Sequence, residues 1–79
     1  MWREDKVTYE ILDTIGVLSE RGEWHKEVNL VSWNGNPPKV DVREWNSDHS
    51  KMSRGITLTE AEAGALASAL NGWFEERSK

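Results

Sequence analysis

Seventy-nine residues make one domain, and a chain this short buries only about 60 to 65% of the surface its unfolded form exposes, so its core is marginal. It contains no cysteine, which excludes a disulfide framework and a thiolate metal site and fits a reducing cytoplasm. Its net charge of −4 excludes a uniformly basic nucleic-acid binder but leaves room for a local basic patch, because salt screens charges beyond about 10 Å.

No apolar run approaches the roughly 20 residues of a membrane span. Met1-Trp2-Arg3-Glu4-Asp5-Lys6 is followed by no apolar signal region, so a cytoplasmic protein with no membrane partner is expected. Residues 7 to 19 (VTYEILDTIGVLS) are β-branched and apolar and read as a first strand, with Gly16 as a bend or bulge. Glu20 to Glu23 reads as a polar turn. Residues 24 to 33 (WHKEVNLVSW) alternate loosely and form a second strand. Asn34-Gly35 followed by Pro37-Pro38 is a turn, since a proline pair cannot sit in a central strand. Residues 39 to 45 form the third strand, 46 to 54 a polar loop, and Gly55 to Leu58 a short fourth strand.

Thr59 then opens a helix. With Glu62 three residues on, it forms a capping box in which each side chain satisfies an orphan amide. Ala63, Leu66, Leu70, Trp73 and Phe74 recur at spacings of three and four, an apolar stripe that ends near Glu76 or Arg77. Four strands followed by one helix predict an α+β domain, with the helix covering one face of an antiparallel sheet and the other face left free. One small sheet cannot bury both Trp73 and Phe74. Leu66, Leu70, Trp73 and Phe74 are therefore assigned to a self-complementary contact in a two-fold homodimer.

The third strand carries the most informative pattern. Period two places Lys39, Asp41, Arg43 and Trp45 on one face and Val40 and Val42 on the other. A flat ring beside cations is the chemistry that holds an unpaired nucleic-acid strand, with bases stacked on the ring and phosphates met by the cations. The alternative is a solvated face with Trp45 lying over its neighbours, and Asp41 on that face offers Arg43 an ion-pair partner. Trp33 sits at a turn, where parity does not say which way its ring points. Trp24, on one face with Val28 and Leu30, reads as packing. From Arg21 to Thr57 the basic residues 21, 26, 39, 43, 51 and 54 outnumber the acidic residues 23, 27, 41, 44 and 48 by one.

Catalysis is not expected. His25 and His49 have no carboxylate or thiol at metal-ligand spacing, so no metal site is read. Asp48, His49 and Ser50 are adjacent, and neighbours on one loop rarely reach the geometry of a triad. Gly16 and Gly55 are isolated, so no phosphate-cradling loop is present. No cofactor and no small-molecule substrate are expected.

Three blocks resemble the positive cofactor 4 family of single-stranded DNA-binding proteins, most closely its bacterial YdbC-like branch. Trp24-His25-Lys26-Glu27-Val28 with Val31-Ser32-Trp33-Asn34 is the first, and Pro38-Lys39-Val40-Asp41-Val42-Arg43-Glu44-Trp45 the second. Asp48-His49-Ser50-Lys51-Met52 with Arg54-Gly55-Ile56-Thr57-Leu58-Thr59 is the third. Together they cover roughly residues 9 to 74. The chain departs from the eukaryotic members at Glu44, where they have a second aromatic beside Trp45, and at Ser53, a place often basic. It also shows none of their Ser- and Lys-rich sequence.

The resemblance implies a curved four-stranded antiparallel sheet, a C-terminal helix and a two-fold dimer. It also implies bases stacked at the positions of Trp33 and Trp45, and basic contacts at Lys26, Lys39, Arg43, Lys51 and Arg54. The expected function is binding of single-stranded DNA, with RNA as an open alternative and little sequence preference. Transcription regulation, or DNA replication or repair, is the expected setting. The rival reading is a protein-interaction module that uses the exposed sheet face, because Trp and Arg are enriched in protein interfaces as well.

Overall fold

The computed structural model describes residues 7–78. Four strands and one helix follow in chain order: β1 (Tyr9–Arg21), β2 (Trp24–Trp33), β3 (Lys39–Trp45), β4 (Ile56–Leu58) and α1 (Glu60–Arg77). The strands form one antiparallel sheet in the order β1-β2-β3-β4. This is the α+β arrangement expected from the sequence, an open curved sheet with a C-terminal helix.

The curvature has a local cause. The thirteen residues of β1 run against the ten of β2, and the excess is absorbed by irregularities between Ile11 and Asp13, Thr14 and Gly16, and Val17 and Ser19. Each such bulge bends the strand and increases its twist. The first strand also runs two residues further than its sequence suggests. The turn narrows to Gly22-Glu23, where Gly22 takes the left-handed φ of 62° that its missing Cβ permits.

The β2–β3 connection follows its turn residues. Asn34 and Gly35 both have positive φ, 53° and 75°, and the Asn36 amide closes the turn on the Trp33 carbonyl at 2.8 Å. Asn34 also binds back to Thr8, donating its amide to the Thr8 carbonyl at 2.8 Å and accepting the Thr8 amide on Oδ1 at 2.9 Å. At the helix start, Thr59 Oγ1 accepts from the Glu62 amide at 3.1 Å and Glu62 Oε1 accepts from the Thr59 amide at 2.9 Å. The capping box is therefore complete.

Sheet pairing sorts the side chains into two faces. His25, Glu27, Asn29 and Val31 of β2 lie opposite Trp45, Arg43, Asp41 and Lys39 of β3, and Asp41 lies opposite Thr57 of β4. The opposite face carries Val28, Leu30, Val40, Val42, Ile56 and Leu58. The interior lies on the first, polar face. Val31 and Trp45 are completely buried there, together with Asn29 and Asp41, and Glu27 is 4% exposed.

Two expectations are corrected here. The helix does not cover the apolar face. No α1 residue is buried, and Leu66, Leu70, Trp73 and Phe74 are each about half exposed. An apolar groove lined by Leu18, Val28, Val40, Val42, Leu58 and Leu66 stays open between sheet and helix. The radius of gyration is 14.5 Å, against about 12 Å for a compact domain of this length. The other face is not free either, because residues 46–54 fold across it. The helix stripe has too little sheet to lie on: β4 is three residues long, and α1 begins two residues after it.

Gly55 marks a close approach between the loop's end and β3. A Cβ there would collide with the Val42 carbonyl oxygen and with Arg43 Cβ, one of which is backbone and cannot rotate away. Gly55→Ala is expected to cost about 1–3 kcal/mol, the range for forcing atoms into packed space. Thermal unfolding would register this as a drop in Tm of at least about 4 °C. An unchanged Tm would mean that the approach is loose.

Candidate nucleic-acid interface

Asp41 organises the polar face. Its carboxylate has no access to water and is gripped by Arg43 in a two-pronged contact, Nε to Oδ1 at 2.6 Å and Nη2 to Oδ2 at 2.7 Å. Thr57 donates a third hydrogen bond to Oδ2 at 3.0 Å. The remaining guanidinium donors are also engaged. Nη1 reaches the Ser53 carbonyl at 3.3 Å and Met52 Sδ at 3.8 Å, and Nη2 reaches Thr57 Oγ1 at 3.5 Å. The expected ion pair is present, and Arg43 has no donor left over for a phosphate in this conformation. Its Cζ lies 4.6 Å from the Trp33 ring centroid, a cation–π contact.

Trp33 and Trp45 start from opposite ends of β2, since Trp45 is the register partner of His25. Sheet curvature brings their rings together, with centroids 6.5 Å apart and planes within 13° of parallel. Tyr9 completes the group, 5.8 Å from Trp33 and 5.2 Å from Trp45. Parity grouped Trp45 correctly with Lys39, Asp41 and Arg43, but its ring is not an exposed platform. It is completely buried beneath Tyr9, Trp33 and His49, and Met52 pairs with it by a backbone bridge. The charged face turns inward because Asp41 and Arg43 neutralise each other, which lets a loop close over them. Trp33 is half-buried and keeps access to solvent.

The closing loop is fixed through His49. Its Nε2 lies 3.0 and 3.1 Å from the two oxygens of Glu27, and the Tyr9 hydroxyl donates to its carbonyl at 2.5 Å. His49 itself sits at φ 60°, a left-handed conformation rare for a side-chain-bearing residue. Burial raises the Glu27 pKa, but hydrogen bonds from Asn29 and His49, with the charges of His49 and His25, outweigh it. The carboxyl is held below its ordinary value. Asp48 is also lowered, by side-chain and backbone hydrogen bonds from Ser50.

The remaining cations stay at the surface. Lys26, Lys39, Lys51 and Arg54 are exposed, and their side chains pair with no carboxylate among the described residues. Lys26 and Arg54 line one open concavity with Arg43, Glu44 and Ser53. Lys39 stands at the opposite end of β3 from Trp45, and Lys51 on the loop. The structure thus brings Lys26 and Arg54 together and leaves Lys39 and Lys51 apart from them. Among the described residues no group of three or more His, Cys, Asp or Glu side chains could hold a metal ion.

A family model described as Transcriptional Coactivator p15 (PC4) matches residues 21–69. The chain belongs to the PC4 family. This is a nucleic-acid-binding, non-enzymatic family with transcription-related roles. An uncharacterized protein of Treponema pallidum (strain Nichols) is 47% identical over 68 residues, covering 85% of this chain and 80% of that protein. The PC4 match takes in Lys26, Trp33, Lys39, Arg43, Trp45, Lys51 and Arg54, and also Glu27 and His49. It leaves out Tyr9, Trp73 and Phe74.

Sequence reasoning missed Tyr9, Glu27 and Asn29, and dismissed His49 as a ligand or catalytic base without seeing it as a support. Glu27 and Asn29 fall at alternate positions of β2, which in sequence looks like a solvated face. Tyr9 acts across 40 residues through its hydroxyl, and no local spacing reports that.

Two outcomes follow for stability. Trp45→Ala should cost about 3–5 kcal/mol, as for a buried aromatic, and an unchanged Tm would mean that the ring is not interior. Glu27 has a folded pKa below its ordinary 4.5, so its carboxylate stabilises the fold above that value. The contribution is lost as pH falls through the lower folded value. Glu27→Gln should therefore lower Tm at neutral pH and flatten the fall in Tm from about pH 5 to pH 3. Parallel acid-unfolding curves for the two proteins would contradict this.

Proposed function

We propose that the protein binds single-stranded DNA, as a homodimer, by stacking a base on Trp33 and neutralising phosphates with Lys26, Lys39, Lys51 and Arg54. The observation that supports this most directly is the set of four exposed cations that pair with no carboxylate among the described residues, on a protein of net charge −4, together with Trp33, which keeps some access to solvent. Every base has a π-face, so stacking tolerates any sequence, and phosphates carry no sequence information. Selectivity against duplex follows, because paired bases are not free to stack. Arg43 acts in this reading as a brace that holds Trp33 and the loop, and Trp45 supports the stack from within. Membership of the PC4 family supports the ligand class and a transcription-related setting.

The dimer rests on the open apolar groove. Leu66, Leu70, Trp73 and Phe74 stand half exposed on one helix beside an uncovered sheet face, and a second copy offers the same surface in return. Trp73 and Phe74 already pack edge to face at 4.9 Å and would enter the contact as a unit. Light scattering at tens of micromolar should give twice the chain mass. A monomeric mass would refute the assembly.

A fluorescent oligo-dT titration, with duplex of equal length as control, tests the binding. Trp33→Ala should weaken oligo-dT affinity about five- to hundred-fold while leaving the protein folded. Replacing Lys51 and Arg54 together with alanine should lower the slope of log affinity against log salt by about 1.4, near 0.7 for each contact on a single strand. An unmoved slope would remove the loop from the binding face. Indifference to the oligonucleotide would favour the protein-interaction reading.

A further inference from the structure

We propose that residues 46–51 form a gate that hides Trp45, that His49 is its pin, and that a bound strand opens it so that a base replaces the His49 ring on Trp45. This rests on the single-strand reading above and concerns its regulation. The His49 ring centroid is 5.6 Å from that of Trp45, where a planar heteroaromatic ring shields the indole. The site therefore already holds an internal occupant of the same chemical kind as a base.

The tip, residues 46–51, is built to move as a unit, hinged where Met52 and Ser53 pair with Trp45 and Glu44 of β3. Its own bonds are internal: the Lys51 amide to Asn46 Oδ1, the Asn46 side-chain amide to Ser50 Oγ, and Ser50 Oγ to Asp48 Oδ1. It meets the sheet at few points. Two are His49 ties, the ring on Glu27 and the carbonyl on the Tyr9 hydroxyl, and a third is a long contact of 3.5 Å from Ser47 Oγ to the Glu23 carbonyl. His49 is also the loop residue held at positive φ. Releasing it relaxes the backbone while the internal bonds persist. The buried Trp45 indole N–H has no acceptor among the described residues.

The pin is a contact between two ionisable groups. Glu27 faces His49 from the loop at 3.0 Å and His25 Nδ1 from its own strand at 3.9 Å, and it accepts from the Asn29 amide at 3.0 Å. Across the sheet stand Arg43, committed to Asp41, and Val17 of β1. Glu20 is the register partner of His25, and Asp48 beside His49 is bound to Ser50. A protonated imidazole makes a charge-assisted bond to the Glu27 carboxylate and closes the gate harder. Oligonucleotide affinity should then fall on acidification. Attraction of phosphate to a newly charged histidine would give the opposite sign.

The test is His49→Asn. Asparagine tolerates the left-handed backbone but is too short to reach Glu27. The variant should bind oligo-dT about five-fold tighter or more, since one stacking surface is uncovered. Its affinity should vary less with pH than that of the wild type, which weakens on acidification. The Trp45 indole N–H should exchange with solvent faster in the free variant than in the free wild type. Tyr9→Phe keeps the ring and cuts the other tie, so it should tighten binding and speed indole exchange while the pH dependence carried by His49 and Glu27 persists. It serves if His49→Asn fails to fold. Equal or weaker binding by a folded variant, or tighter wild-type binding at low pH, overturns the gate. If the wild type ignores oligo-dT altogether, the single-strand reading fails. The gate then stands or falls on indole exchange, and unchanged exchange in the variants overturns it.

Discussion

A carboxylate with no access to water sets the terms for the rest of this structure. Removing one partner of a buried pair leaves an uncompensated charge and costs about 3–5 kcal/mol. Asp41 therefore holds Arg43 in place, and the two-pronged geometry fixes the plane of the guanidinium. That plane decides what else can approach. Its outer edge takes the Ser53 carbonyl, which anchors the end of the 46–54 loop, and its face lies near Trp33. One ion pair thus positions an aromatic ring and a loop that are 20 residues apart in sequence.

The consequence is a sheet turned inside out relative to its residue types. The polar face is buried by tryptophan, tyrosine and a polar loop, while valines and leucines on the other face remain open. A buried charged network is seldom the most stable filling for an interior, and apolar residues of similar volume often do as well or better. Geometry explains its use here. The Asp41–Arg43–Thr57 and Glu27–Asn29–His49 contacts are directional, so the ring positions above them are fixed more tightly than apolar packing would fix them, although Asn29 Oδ1 has no partner among the described residues. The open apolar face then becomes the place where further stabilisation can come only from another surface.

Much of the architecture was legible because it rests on local signals. The second and third strands, the Asn34-Gly35 turn and the capping box at Thr59 each follow from residues within a few positions of one another. Parity also grouped Lys39, Asp41, Arg43 and Trp45 correctly. Parity says which residues share a face and not which face is inside, and that second question was answered by contacts far apart in sequence. Tyr9 and His49 are 40 residues apart, and Glu27 and His49 are 22 apart. In β1 even parity fails, because three bulges reset the alternation and leave Leu12, Ile15, Val17 and Leu18 exposed together.

The division of labour among the cations follows from the same geometry. Arg21 is engaged with Glu44 at 3.1 Å and Arg43 with Asp41, so two of the basic residues between Arg21 and Thr57 serve the fold. The other four project from different elements: Lys26 from β2, Lys39 from β3, and Lys51 and Arg54 from the loop. An acidic protein does not gather anions from a distance, since its far field repels them and salt screens what remains. Any attraction for a polyanion must act at contact range, from cations that are not already paired. Neutralising Arg43 internally is therefore compatible with binding: it removes one phosphate contact and supplies the rigid frame from which the unpaired cations and Trp33 are held.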